Sequence, residues 1–301
     1  DLAGDLRIGN GTSVDLAALG ASISGDAGGA GSGALDGGSG AVDVNGDFTV
    51  PDYTASSGTT RIGGTTVTFA TLDTSAGGTI ELDGTVGPVG LTTNNQVFNN
   101  VSVTTGGGPE TVNVVGTLDV DGNLVVAAGH TLAVGNNVID VAGTTTNGGT
   151  ITLGNQTATF TGLVTNTGGT LNGGTNTLTL SDGLTGGAVT ASSGQTNLGG
   201  NTTFGTFTAN GGQLRITGAV DLTSSGQELY DLHIVAGNTL TPQDALVVNR
   251  NVVIENTAAY VNNGQTLTLG GVGGVAGNLT DSNAILQDLG AVTVNTADTT
   301  T

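Results

Sequence analysis

The nine residues Leu118–Val126, LDVDGNLVV, set the tightest limit on what this chain can fold into. Two short runs alternate apolar and polar residues, and Asp121, Gly122 and Asn123 between them tolerate a bend. Residues two apart on a strand share a face, so Leu118, Val120, Leu124 and Val126 are expected to point one way. The design returns as VDVNGDFTV (Val42–Val50) and LVVNRNVVI (Leu246–Ile254), with looser copies at LTLSDGLTG from Leu178 and LRITGAVDL from Leu214. The chain is a repeat of one strand–bend–strand unit, and repetition is its main organising signal.

Longer copies enclose these units. The segment from Gln96 matches the one from Gln227, with Phe98, Val101 and Val103 answering to Leu229, Leu232 and Ile234, and a three-residue gap in the Gly106–Pro109 loop. Between them, residues 144–226 run through shorter units with a turn about every ten residues. β-Branched Val, Ile and Thr dominate the strands and lose freedom in helices. No stretch of ten residues carries a 3.6-residue period, so helix content is expected to be close to nil.

The fold expected is all-β: a repetitive β-solenoid like a parallel β-helix, with antiparallel β-sandwich domains as the alternative. Six Asn-Gly pairs, such as Asn45-Gly46 and Asn263-Gly264, suit two-residue hairpins. They suit solenoid corners equally, because both demand residues that accept positive φ. Short, near-homologous units favour the solenoid. So do small side chains, which fill a narrow stack where large aromatics would not fit. A coil is expected to hold about 20 residues.

Three regions are expected. Residues 1–41 read as an irregular glycine-rich segment, with a strand at Leu6–Ile8, a helical turn near Leu16–Leu19 and a wide loop over Gly25–Gly40. Residues 42–285 form the repetitive β body, with related repeats near 42–50, 96–143 and 227–271. Residues 286–301 form a polar C-terminal strand and tail.

Charge narrows the partners. The net charge is −20, with 24 acidic residues against Arg7, Arg61, Arg215 and Arg250. Such a surface repels nucleic acid and anionic membranes, and four scattered arginines make no basic patch. No window approaches 18 apolar residues, so no helical membrane span is expected. Aromatics at 3% argue against the girdles of a transmembrane barrel. Without cysteine, stability must come from packing and backbone hydrogen bonds. A chain that starts at Asp1 and has no Met reads as a mature or excised segment.

Asp43, Asn45 and Asp47, and likewise Asp119, Asp121 and Asn123, place oxygen ligands at alternate positions, as at the start of a helical calcium loop. The match then departs: Phe48 and Leu124 stand where that loop needs Gly, and no Glu closes the twelfth position. Two readings stand, a repeated solvent-facing turn and a calcium site; no other cofactor is expected. The stretches GGAGSGALD and GGSGAVDVN approach a calcium-binding nonapeptide roll, but the Asp is displaced in both. His130 and His233 have no Cys and no acidic partner at ligand spacing, and read as ordinary surface or turn residues. A polysaccharide-cleaving enzyme would need acids clustered with Arg or Lys and aromatic platforms for sugar rings. With no Lys, no Trp and three Tyr, the chain reads as not an enzyme. Thr-x-Thr runs from Thr66, Thr157, Thr177, Thr206 and Thr266 raise a water-ordering threonine face, at spacings too uneven for a regular one.

The pattern FNNVSV (Phe98–Val103) followed by GTLDVDGNLVVAAGHTLAVG (Gly116–Gly135) resembles the bacterial secreted β-strand-repeat proteins. It is also similar to filamentous-haemagglutinin-type adhesins and autotransporter passengers. The resemblance covers 42–50, 96–143 and 227–271. It implies export, a rod-like β body and roles in adhesion, surface layers or matrix fibres, with contacts to cell surfaces or glycans. It transfers no catalytic residue. The function expected is an extracellular, non-catalytic structural protein that self-assembles into a cell-surface filament, matrix fibre or surface layer, end to end or by insertion of a strand-like tail. The alternative is the stalk of a bacterial adhesin whose binding domain lies elsewhere.

Overall fold

The computed structural model describes the chain except residues 19, 85–86, 105–109, 271–277, 282–284, 288–291 and 295–301. The Gly106–Pro109 loop and the end of the polar tail therefore lie outside the described residues. Among the described residues every regular element is a strand. The strands pair in parallel, which sets the antiparallel sandwich aside. The chain divides into two compact units, Asp1–Thr152 and Leu153–Thr301. Each is a parallel β-solenoid.

In the first unit each coil contributes three strands. Leu6–Ile8, Ser13–Asp15 and Ala21–Ile23 make one coil; Ala27–Gly29, Ala34–Asp36 and Val42–Val44 stack on it in register. Inter-coil side-chain bonds join residues 16 to 25 apart, close to the expected coil length. The stretch Gly25–Gly40 is thus no loop: it supplies two of these strands. Of the helical turn expected near Leu16–Leu19, Leu19 lies outside the described residues, and Ala17 and Ala18 make a non-helical turn with Ala17 at φ 50°.

Alternation decides what faces inward. Leu118, Val120, Leu124 and Val126 are all fully buried, as are Val42, Val44, Phe48 and Val50. Each such side chain contributes about 1.5–3 kcal/mol by leaving water. Large aromatics do fit the stack. All six phenylalanines are buried, and Phe48, Tyr53, Phe69 and Phe98 form a continuous cluster with ring centroids 4.9–6.3 Å apart. The coil interior is wide enough because aromatics on successive coils offset or tilt against one another.

The glycines of the bends serve a different need from the one expected. Gly46 and Gly122 are not in the left-handed region. A Cβ on Gly122 would lie 2.4 Å from the Asn99 carbonyl oxygen and 2.4 Å from Asn100 Oδ1, and a Cβ on Gly46 would lie 2.7 Å from the Gly25 oxygen. These corners need glycine because coil backbones touch there. Asn263-Gly264, at φ 51° and 73°, does follow the positive-φ expectation.

The second unit begins with the same three-strand coil, as in Thr170–Asn172, Thr177–Leu180 and Leu184–Thr185. From Glu228 it changes. Glu228–Ile234 and Leu246–Ile254 are single strands of seven and nine residues, paired in parallel with an irregularity between Leu229 and Asp231.

Candidate functional site

The six residues singled out as calcium ligands split into three environments. Asp47 and Asn123 are rungs of corner ladders. The Asp26 amide donates to Asp5 Oδ1 at 3.1 Å and the Asp47 amide to Asp26 Oδ1 at 2.9 Å. Asp47 Oδ1 then accepts from the amides of Thr65 and Thr66, each at 2.9 Å. A second ladder runs from Asn100 Oδ1, which accepts the Asn123 amide at 2.8 Å, to Asn123 Oδ1, which accepts the Thr144 amide at 2.9 Å and its hydroxyl at 2.8 Å. Each side chain thus caps an amide of the next coil that the bend leaves without a strand partner.

Asp43 and Asp119 lie instead mid-strand and half-buried. Asp43 stands in register with Arg61, and Asp119 with Asp140. Burial raises the Asp119 carboxyl above the ordinary range, and the neighbouring Asp121 and Asp140 add to it. Asn45 and Asp121 are exposed in the bends, where their amides donate to Ile23 and Phe98. Among the described residues no three His, Cys, Asp or Glu side chains form a group able to hold a metal ion.

The densest set of titratable groups in the first unit was missed by the sequence reading. Arg61 Nε lies 3.1 Å from Glu81 Oε1 and 3.3 Å from Asp83 Oδ2, and the Thr104 hydroxyl donates to Glu81 at 2.9 Å. Glu110 and His130 are buried. They precede strands whose first residues, Thr111 and Thr131, stand in register, so they occupy equivalent positions on adjacent coils. Among the described residues, Asp83 Oδ1 and both His130 ring nitrogens are buried without a hydrogen-bond partner, and the buried Glu110 carboxyl has the Gly84 amide beside it. Burial pushes the Glu110 carboxyl up to about 7; the Gly84 amide opposes this and the Asp83 charge adds to it. Burial also raises Asp83, against the pull of Arg61. His130 is therefore no surface residue. The signal was in the sequence: ETVNV from Glu110 and HTLAV from His130 align on their strands.

In the second unit His233 does have an acidic partner. Its Nε2 lies 2.7 Å from Glu255 Oε1, and the Ala236 amide donates to Glu255 Oε2 at 2.9 Å. That amide, then His233, hold the Glu255 carboxyl below the ordinary range. At the irregularity beside Leu229, Arg250 grips Asp231 with Nε at 2.9 Å and with Nη2, and its guanidinium sits 4.6 Å over the Tyr230 ring. Burial alone would raise Asp231, but Arg250 and the Asn251 amide outweigh it and hold the carboxyl low.

In the second unit the runs from Thr157 and Thr177 lie on adjacent strands with Thr159 in register with Thr179, whereas Thr206–Thr208 belongs to a different sheet. A threonine row arises elsewhere, from Thr165, Thr185, Thr203 and Thr223, in register on four successive strands. The stacking is that of β-helix repeat proteins in general. In comparisons with known proteins, no family model, no curated protein and no solved structure matches the chain.

Proposed function

We propose that the chain is an extracellular, non-catalytic structural protein that assembles with copies of itself into a filament, matrix fibre or surface layer. The observation that supports this reading is the threonine row of the second unit. Thr165, Thr185, Thr203 and Thr223 present short, neutral, conformationally stiff side chains at the spacing of stacked strands. A second sheet can lie flat on such a surface, losing little side-chain entropy and burying no charge.

Negative-stain electron microscopy of the purified chain, with calcium and with chelator, tests the proposal. Regular filaments or sheets are expected, and the double substitution Thr185→Lys, Thr203→Lys is expected to abolish them while the β circular-dichroism spectrum is kept. Loss of order in chelator would tie assembly to the acidic bends. Separate particles under every condition would overturn self-assembly and leave the adhesin-stalk reading.

A further inference from the structure

We propose that the corner formed by Asp83, Glu110 and His130 is a proton-linked switch: a protonated Glu110 keeps the first unit closed at this corner, and its ionisation loosens it. The inference rests on placement. Glu110 is 3% exposed and His130 1%. Their backbones are pinned, because the Thr131 amide donates to the Glu110 carbonyl at 2.8 Å and the Thr150 amide to the His130 carbonyl at 2.8 Å. In the proposed switch the ionised side chain reaches water as those inter-coil bonds open.

Among the described residues no cation pairs with Glu110. The Gly84 amide is the described backbone donor that acts on the carboxyl, and the fit is close: a Cβ added to Gly84 would lie 2.7 Å from Glu110 Oε1. Of the charged groups around it, Asp83 repels an ionised Glu110. Arg61 is engaged by Glu81 and Asp83, with Asp43 in register beside it, and makes no ion pair with Glu110. His130 acts on Asp83 and likewise makes no ion pair with Glu110. An ionised carboxylate here is buried with no ion pair among the described residues, and burial outweighs the Gly84 amide, so the neutral acid is cheaper to bury.

The direction follows from the proton affinities. The folded corner, at about 7, holds the proton more tightly than an unfolded chain does at 4.5. The stability gained is full below about 4.5 and is lost as the pH rises through about 7. Across roughly pH 5 to 8, the folding constant of the first unit is expected to fall by up to about a hundredfold.

The experiment is hydrogen exchange on the full chain across that range, corrected for intrinsic exchange, read at the Thr131 and Thr150 amides and at second-unit amides such as Thr177. Protection at Thr131 and Thr150 should drop as pH rises, with Thr177 unchanged; Glu110→Gln should abolish the drop. An equal drop in Glu110→Gln, or none in the native chain, overturns the proposal. Should Glu110→Gln not fold, carbon-13 titration of the Glu110 carboxyl in the native chain decides: a midpoint near 7 supports the switch, and an ordinary carboxylate midpoint refutes it.

Discussion

Leu118–Val126 in the first unit turns a corner at its centre, so that Leu118–Val120 and Leu124–Val126 belong to different sheets, whereas Leu246–Ile254 in the second unit runs on as one strand. Their alternation is the same, and Leu246, Val248, Val252 and Ile254 are buried as fully as their counterparts. The difference lies in the middle residue. Gly122 occupies a corner where a Cβ would meet the Asn99 carbonyl oxygen at 2.4 Å. Arg250, at the corresponding place, carries a Cβ and a long side chain, and the strand instead bulges so that the guanidinium reaches Asp231 and Tyr230. The next residue changes role as well. Asn123 uses its side-chain oxygen to accept from the following coil, while Asn251 gives both its amide and its Nδ2 hydrogens to Asp231. One position therefore decides between a bend and a bulged straight strand, while the alternation decides only what is buried.

Three substitutions would break or sharpen this contrast. The largest effect is expected from Gly122→Arg, which puts the second-unit residue into the first-unit corner. The collision with the Asn99 carbonyl should destabilise the first unit by more than about 3 kcal/mol, seen as a lower denaturant midpoint. A midpoint near that of the native chain would mean that the corner can open into a bulge. Next comes Arg250→Gly, which leaves the buried Asp231 carboxylate with Asn251 as its remaining described hydrogen-bond donor. Because Arg250 is itself exposed, a modest drop in the denaturant midpoint is expected rather than that of a fully buried pair. A native-like midpoint in the same denaturation would show that the bulge stands without its ion pair. The smallest is Asn123→Ala, which removes one ladder rung and should cost about 0.5–1.5 kcal/mol. Here exchange at the Thr144 amide is the readout, and unchanged protection would show that solvent replaces the rung freely.

The two units also differ in how their histidines were misjudged. His233 was paired by stacking with Glu255, 22 positions along the chain, a distance at which only the coil length creates a neighbour. His130 sits in a loop-like context, yet its register with Glu110 turns it into the core. In both cases the partner is one coil away, so spacing rules drawn from helices and turns do not find it. Asn45-Gly46 and Asp121-Gly122 are bends, but the role of Asp47 and Asn123 as ladder rungs comes from the next coil's amides, which no local pattern displays. The aromatics were misread for a related cause: a narrow stack excludes them only if they lie level, and Phe48, Phe69 and Phe98 do not.

By itself the sequence determined the strand content, the repeat and the inward face, because alternation and β-branching act over two to nine residues and need no partner. It also carried the preference for a solenoid over a sandwich, through the near-identity of successive units. Only the tertiary structure decided which bends are corners and which strands run straight, where the ladders form, and that Glu110 and His130 are buried at equivalent positions on adjacent coils. Those outcomes depend on what stands one coil above and below, and paired strands of successive coils are 18 to 27 residues apart, with no fixed length. A one-residue change in that length reassigns every neighbour, so contact between coils is settled by register and not by sequence spacing.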